Sequence, residues 1–563
     1  MIYHCEDHTC NYWDEGEKLP ERCPQCGRKL LRANEADMTG DDWTALGNTL
    51  WDAEASDKKR MVDCFRKAAY LGSAWGVCNL GICMEQGNGV EADPVQAFWL
   101  YQQAVEMGSL NAVCCLGVCY QYGIGTAPDA EKAAELYCKA AEYGSPRGQM
   151  LLARAFHDGI GVEADAAEAV YWVRAAAYQR YGEGMYRLGV CYEYGDGVEQ
   201  NWEHAVHWFR EAAESGVSTA MTDLGYCYEK GCGVEQSWEQ AFSWYRRGAE
   251  CGYPVSMSNL GLCYKRGYGV EQNWQEAVKW YEQGAQCGHL QSMDNLAYCY
   301  EYGEGVEQNE DRALYWYRRG AEAGSDYCMY CLGWNYSNGE GVEQNMTEAI
   351  RWYTAAAEGG NADATHNLGW HYDHGEGVEQ DMKKAICWYE RAAEQNHPAA
   401  MNSLGECYAM GRGVPRDLET AMEWYRRAAE LGEAMADYNM GWHLEQAGKL
   451  SEAYAHYRKA ADGNDDSAWW ALGRFYENGV VVAQDGKEAR RCYETGEKLG
   501  SVKCKMRLAR CKLLGIGGRR EKKAGLDLCR QALELAKESS EKEDYGYEAE
   551  MNLLRRTIAE NES

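Results

Sequence analysis

A dipeptide that recurs at a fixed spacing constrains this chain more than any other feature. A Leu-Gly pair, or a close variant of it, returns every 36 residues from Leu80 to Met440. Units of this length cannot bury a core alone and gain stability by stacking on their neighbours. We call the Leu or Met of each pair the anchor. The anchors are Leu46, Leu80, Leu116, Leu152, Leu188, Leu224, Leu260, Leu296, Leu332, Leu368, Leu404, Met440, Leu472 and Leu508.

Each unit is predicted to form two helices. In the unit at Leu260, Cys263 and Tyr264 follow the anchor at three and four residues, which places all three on one helical face. Gly261 would let a partner helix approach closely. The turn that follows contains a Gly-x-Gly, which suits the end of a helix, and Gln272 and Asn273 suit a turn and a cap. A second apolar helical face comprises Ala277, Trp280, Tyr281 and Ala285.

These features resemble the Sel1-like repeat, a relative of the tetratricopeptide repeat, over about residues 37–535. The similar elements are the Leu-Gly pair, the Tyr four residues after the Leu, the Gly-x-Gly-Val turn and an Ala-x-x-Trp-Tyr-x-x-Ala-Ala-x-x-Gly helix. The resemblance implies an all-α, right-handed α/α superhelical solenoid of about fourteen helix pairs. Residues 536–563 are predicted to form a capping helix, since 548–560 is amphipathic. The unit after Met440 is four residues shorter and residues 479–482 lose the second Gly, so we expect the solenoid to bend near 440–485.

The first 33 residues are predicted to form a separate zinc ribbon. Cys5 and Cys10 precede a Cys-x-x-Cys at Cys23 and Cys26, and four thiolates bind Zn²⁺ tetrahedrally in structural sites. The stretch resembles a rubredoxin-like zinc ribbon with these four ligands. His8 is an alternative to Cys10, because Cys5-x-x-His8 is also a ligand spacing. Unliganded or redox-active cysteines remain the other interpretation.

Charge and composition restrict the classes of partner. The formal net charge is −31, which repels phosphate backbones and argues against nucleic-acid binding. We find no apolar run long enough for a membrane span and no secretory h-region, so a cytoplasmic protein is expected. In that compartment most of the 26 cysteines are expected to be buried thiols or metal ligands. A cysteine three residues after many anchors is expected in the core.

The sequence contains no local signature of a catalytic site. It lacks Gly-x-Ser-x-Gly and His-Glu-x-x-His, and its Gly-x-Gly elements lack the Lys-Ser/Thr of a phosphate loop. We therefore predict a non-enzymatic scaffold that binds protein or peptide partners. Two alternatives stay open. One is an enzyme such as an amide hydrolase, an activity proposed for some Sel1-like proteins, and the other is a secreted, host-interacting effector. The oligomeric state is not predicted.

The partner is expected on the concave face, which the first helix of each unit usually lines. Helical phase places residues five and two before the anchor, and two, five and six after it, on that face. Three units combine aromatic and acidic residues there, which predicts binding of a basic or extended peptide. The alternative is that these rings fill gaps between helices. The predicted contacts are Asp294, Tyr298, Glu301, Tyr302, Tyr327, Tyr330, Trp334, Asp363, His366, Trp370, Asp373 and His374.

Overall fold

A computed structural model describes residues 2–5, 13–15, 30–33, 35–51, 55–542 and 548–562. From residue 35 onwards the described chain is helical and is built from successive antiparallel pairs, which confirms the all-α repeat fold. The chain divides into two compact units, 1–292 and 293–563. The helices are α1 Gly40–Thr49, α2 Ala55–Tyr70, α3 Ala74–Gln86, α4 Pro94–Glu106, α5 Leu110–Tyr122, α6 Ala130–Glu142, α7 Pro146–Asp158, α8 Ala166–Tyr178, α9 Gly182–Tyr194, α10 Trp202–Glu214, α11 Ser218–Lys230, α12 Trp238–Glu250, α13 Pro254–Arg266, α14 Trp274–Gln286, α15 Leu290–Tyr302, α16 Glu310–Glu322, α17 Asp326–Asn338, α18 Met346–Glu358, α19 Ala362–His374, α20 Met382–Glu394, α21 Pro398–Met410, α22 Leu418–Glu430, α23 Ala434–Gln446, α24 Leu450–Asp462, α25 Asp466–Asn478, α26 Gly486–Lys498, α27 Val502–Leu514, α28 Lys522–Lys542 and α29 Glu548–Glu562.

The loop between the two helices of a repeat is fixed by its motif residues. In the Leu260 repeat, Gly267 adopts the left-handed conformation (φ 72°) that ends α13. Gln272 Nε2 donates to the Lys265 carbonyl oxygen at 2.8 Å, which satisfies one of the last carbonyls of that helix. Asn273 Oδ1 accepts from the Glu276 amide at 3.1 Å and caps α14. The predicted turn and cap are confirmed.

The second glycine of the turn contacts the preceding repeat. A Cβ on Gly269 would overlap the carbonyl oxygen of Trp238, the first residue of α12, so the backbones of adjacent repeats meet at this point. Val481 stands at the corresponding place after α25 and takes the same left-handed conformation, with φ 63°. The turn is therefore retained at 479–482, although a β-branched residue is strained there.

The glycine after the anchor packs against an aromatic ring of the second helix. A Cβ on Gly261 would lie 2.5 Å from Cε1 of Tyr281, closer than real carbon atoms approach. The equivalent Tyr or Phe rings are the largest side chains that are almost completely buried: Phe65, Tyr101, Tyr137, Phe209, Tyr245, Tyr281, Tyr317, Tyr353, Tyr389, Tyr425, Tyr457 and Tyr493. Ala297, against Tyr317, is the one alanine that faces such a ring among the fourteen repeats. The ring and the missing side chain together set how closely the two helices pack.

Several of these tyrosines use the hydroxyl as well as the ring. Five residues after the anchor, many first helices carry a carboxylate, and the buried Tyr donates to it. Examples are Tyr101 to Glu85 at 2.6 Å, Tyr245 to Glu229 at 2.9 Å and Tyr493 to Glu477 at 2.7 Å. The polar end of each ring is thereby satisfied at the edge of the core.

Both ends of the array carry additional elements. Helix α29 packs on α27 and α28, and it contains the amphipathic segment 548–560. Helix α28 continues past residue 536 to Lys542. Near the N-terminus, strands β1 Ile2–Cys5, β2 Trp13–Glu15 and β3 Leu30–Ala33 form an antiparallel sheet in the order β2-β1-β3. Of the predicted zinc ligands, Cys5 ends β1, whereas Cys10, Cys23, Cys26 and the alternative His8 lie outside the described residues.

Gly261→Ala should destabilise the protein by about 1–3 kcal/mol, because the new methyl group overpacks the Tyr281 ring. The measurement is the urea unfolding midpoint followed by tryptophan fluorescence. The same substitution in a Tyr281→Val background should cost nothing or stabilise, since the ring is gone and Ala favours helix. An equal loss in both backgrounds would show that ring packing does not require the glycine.

Candidate protein-binding surface

The first helices of the repeats lie on the inner side of the curved array within each unit. In unit 293–563, α17 contacts α19 and α25 contacts α27, so successive first helices approach one another directly. In the described part of the chain, successive second helices make no comparable contacts. The predicted site residues on α15, α17 and α19 therefore belong to the inner side.

Exposed aromatic side chains dominate this part of the inner side. Tyr302 is 59% exposed, Trp334 45% and Tyr327 37%. Tyr298 is half-buried and its ring lies 4.6 Å from that of Tyr302, between centroids. These residues offer flat apolar faces together with hydroxyl and indole N–H groups, which is the composition of binding hot spots.

Two further predicted aromatic residues are partly used in packing. Tyr330 is half-buried, with its ring 6.1 Å from that of Tyr353. Trp370 is half-buried and stacks on the exposed His374 ring at 4.3 Å, while His374 Nδ1 donates to the Trp370 carbonyl oxygen at 2.9 Å. The two interpretations of the rings, binding and gap filling, therefore each describe part of the set.

Two of the predicted acidic residues are buried instead of facing outward. Asp294 accepts from Ser325 Oγ at 2.7 Å and from Cys328 Sγ at 2.9 Å. Ser325 caps the helix of the next repeat, so this carboxylate joins two repeats. Helical phase placed Asp294 on the concave face, but the next repeat covers that position. A partner would have to break these hydrogen bonds to reach it.

Asp373 and Glu301 also hold internal contacts. Asp373 is buried, accepts from Tyr389 Oη at 3.4 Å and pairs with Arg412 Nη1 at 3.0 Å. Glu301 is half-buried and accepts from Tyr317 Oη at 2.6 Å, and burial raises the pKa of its carboxyl group. Both stand five residues after an anchor, the position whose carboxylate takes the buried tyrosine hydroxyl.

The remaining predicted residues form a small histidine cluster. Asp363 is exposed and its Oδ1 lies 3.1 Å from His397 Nε2, which lowers the pKa of Asp363. His366 is half-buried, stacks on His397 at 5.0 Å and lies 3.3 Å from Ser403 Oγ through Nε2. Burial, followed by the charge of His397, lowers the pKa of His366 to about 4.

Sequence reasoning missed the continuation of this surface onto α21 and α23. Met410 is 60% exposed, Met435 49% and Trp442 38%. Met410 and Trp442 line a cavity of about 420 Å³ together with Glu406, Arg412 and Tyr438. The sequence does indicate these residues. Met410 lies six residues after Leu404, and Met435 and Trp442 lie five before and two after Met440, which are positions predicted to face the concave side. We give the name inner aromatic surface to the exposed or half-buried rings and the exposed methionines of α15, α17, α19, α21 and α23: Tyr298, Tyr302, Tyr327, Trp334, Trp370, Met410, Met435 and Trp442.

The cysteines three residues after the anchors are core residues except for Cys191, which is partly buried. Cys83, Cys227 and Cys263 are buried, and desolvation raises the pKa of each thiol to about 12. Such thiols stay protonated and unreactive at neutral pH. His371 takes the same place on α19 and is buried as predicted. Within the described ranges, no group of three or more His, Cys, Asp or Glu side chains is arranged to hold a metal ion.

Comparison with known families identifies the repeat. The Sel1 repeat family matches thirteen successive segments in register with the helix pairs: 76–109, 112–145, 146–181, 182–217, 218–253, 254–289, 290–325, 326–361, 362–397, 398–433, 434–465, 468–501 and 502–537. The chain belongs to the Sel1 repeat family. Sel1 repeat proteins are generally protein-interaction scaffolds that bind protein partners.

One solved structure shows the same repeat fold, and a second is similar in sequence. A protective antigen present in uropathogenic Escherichia coli strains, displaying an SLR fold, is 29% identical with a TM-score of 0.56, and the match covers 76% of this chain and 94% of that chain. A Sel1 repeat protein from Oxalobacter formigenes is 28% identical with a TM-score of 0.44, covering 56% of this chain and 93% of that chain. No curated protein matches the sequence. None of the helices in the described ranges is long and apolar enough to cross a membrane.

The histidine cluster predicts loss of stability in mild acid. A folded pKa of about 4 lies below the ordinary value of 6.5, so the unfolded chain takes up the proton first. Stability should fall as the pH drops from about 6.5 towards 4, with His366 contributing about 2 kcal/mol or less between pH 7 and pH 5. Urea unfolding at both pH values would measure it. His366→Gln should reduce the difference, and an unchanged pH dependence in that variant would contradict the assignment.

Proposed function

We propose that this protein is a scaffold that binds a protein or peptide partner along the inner aromatic surface. The observation that carries the proposal is the exposure of Tyr302, Trp334 and Trp442 on the first helices α15, α17 and α23, which lie on the inner side of the array. Solvated aromatic side chains leave apolar area that a partner can cover. The proposed activity is binding, without catalysis.

The proposed partner is an extended segment that carries basic residues. The net charge of −31 attracts a cationic segment at long range. At close range, Trp and Tyr faces accept Lys or Arg side chains through cation–π contacts. Asp363 adds negative charge at the surface, while Asp294, Glu301 and Asp373 hold contacts inside the array. Binding should therefore weaken with added salt but persist in part.

Removing two exposed rings tests the site. A Tyr302→Ala/Trp334→Ala variant should lose at least tenfold in affinity for partners captured by the wild-type protein, because such rings act as anchors. Tyr315→Ala is a matched control, since Tyr315 is 53% exposed but belongs to the second helix α16. The measurements are quantitative capture from lysate, titration with the purified partner and the melting temperature. Retained binding by the double variant, or a loss that follows its melting temperature, would refute the site.

We also propose that residues 1–33 hold one structural Zn²⁺ through Cys5, Cys10, Cys23 and Cys26. The strand register supports this assignment. Cys5 pairs with Leu30 at one end of the sheet, and β2 begins at the same end with Trp13. In the sequence, Cys10 precedes β2 by three residues and Cys26 precedes β3 by four. The segment that carries Cys10 therefore leaves β1 and enters β2 at this end, and the segment that carries Cys23 and Cys26 enters β3 there, which brings the two pairs towards one metal. Localisation in the cytoplasm stays a prediction.

Elemental analysis of the full-length protein should find one zinc per chain. Cys23→Ser/Cys26→Ser should lose it, because two of four thiolates are removed. Cys251→Ser/Cys287→Ser is the control, since both thiols are exposed in the repeat array, and it should keep the metal. His8→Ala should also keep it if Cys10 is the ligand. A wild-type protein that takes up no zinc when supplied with it would refute the proposal.

A further inference from the structure

A second cavity lies in unit 1–292, apart from the inner aromatic surface. It has a volume of about 600 Å³ and is formed by α7, α8 and α9. Arg147 and Arg154 line it from inner positions of α7 and are exposed, so the cavity opens to solvent on the inner side. Its floor is aliphatic and includes Val170, Val173 and Val190.

The cavity occupies the space that an aromatic ring fills in other repeats. The ring position of this repeat, 21 residues after Leu152, is Val173, where ten repeats have Tyr and two have Phe. Ala153 stands at the glycine position, and His157 stands five residues after the anchor, where other repeats present a carboxylate to the tyrosine hydroxyl. Ala153, His157 and Val173 all line the cavity. The repeat therefore lacks the ring, and the residues at the glycine and carboxylate positions beside it are also replaced.

The charges around the cavity leave one cation without a carboxylate. Arg147 Nη1 donates to Cys115 Sγ at 3.6 Å, and within the described residues no carboxylate lies within ion-pair distance of it. Every carboxylate that lines the cavity is already paired. These pairs are Arg154 with Asp158 at 3.3 Å, His157 with Asp196 at 3.2 Å and Arg187 with Glu183 at 3.0 Å, and His157 also contacts Asp158 at 2.6 Å.

We propose that this cavity binds an aromatic ring that carries a carboxylate. The ring occupies the space above Val173 and Ala153, where it regains the apolar contacts that the other repeats make internally. The carboxylate pairs with Arg147, whose planar guanidinium suits two parallel hydrogen bonds. Such a group occurs in a free aromatic acid and in an aromatic residue at the C-terminus of a peptide. The site is independent of the inner aromatic surface.

Calorimetric titration of the full-length protein with four probes tests the ligand chemistry. N-acetyl-tyrosine should bind with a Kd of about 0.1–1 mM, as expected for a ligand of this size. N-acetyl-tyrosine amide lacks the carboxylate and N-acetyl-alanine lacks the ring, so each should bind at least tenfold more weakly. A five-residue Gly-Ser peptide ending in tyrosine with a free C-terminus distinguishes the sources. Tighter binding of this peptide indicates a peptide terminus, and binding of the free acid alone indicates a small molecule. Failure of both would overturn the proposal.

Two variants locate the binding within the cavity. Ala153→Gly/Val173→Tyr restores the usual ring, so it should abolish binding while raising the melting temperature. Arg147→Gln should weaken binding of the free acid at least tenfold and leave the amide unaffected. Arg246→Gln is the control for a lost arginine, since Arg246 lies exposed on α12 and pairs with Glu250. Unchanged affinity in a stably folded Ala153→Gly/Val173→Tyr variant would place the ligand elsewhere and overturn the proposal.

Discussion

The contact between a bare glycine backbone and a buried aromatic ring is the interaction on which the rest of this structure depends. Eleven repeats place the glycine after the anchor against a Tyr or Phe of the second helix, and Gly261 against Tyr281 is typical. The contact fixes the distance between the two helices of a pair, and the second glycine of the turn fixes one pair against the previous one. Because both contacts involve backbone, insertions or larger side chains are poorly accommodated, which accounts for the constant 36-residue spacing.

The buried ring is present at one candidate site, the inner aromatic surface, and is missing at the other, the cavity beside Val173. Where the ring is a tyrosine, its hydroxyl can donate a hydrogen bond to a carboxylate five residues after the anchor. Glu301 and Asp373 accept such bonds, so these two carboxylates are engaged within the fold. The surface left for binding in that region is aromatic more than acidic. Where Val173 replaces the ring, a cavity lies between the helices. Replacements within one repeat are therefore accompanied by a cavity while the helix pair itself is kept.

Much of the fold could be predicted from the sequence, because the contacts that define a repeat lie within about 30 residues of each other. The turn at Gly267, the cap at Asn273 and the buried place of His371 follow from local spacing. The burial of Asp294 could not be predicted in this way. Its partners, Ser325 and Cys328, belong to the next repeat, and helical phase along α15 gives no information about how that repeat lies on it. Asp373 was misplaced for the same reason, since Arg412 comes from the following turn.

The sequence by itself determined the period, the helix pairs, the buried rings and the inner positions, since each of these depends on residues within a single repeat. The sequence also shows that Val173 replaces the usual ring. Only the packing of the neighbouring helices shows that a cavity lies at this position. The tertiary structure decided which polar groups form hydrogen bonds or ion pairs between repeats and which side chains stay exposed. It alone placed Arg147, a cation without a carboxylate partner, beside an empty ring position. That outcome depends on the packing of α7, α8 and α9 together, and no single repeat encodes it.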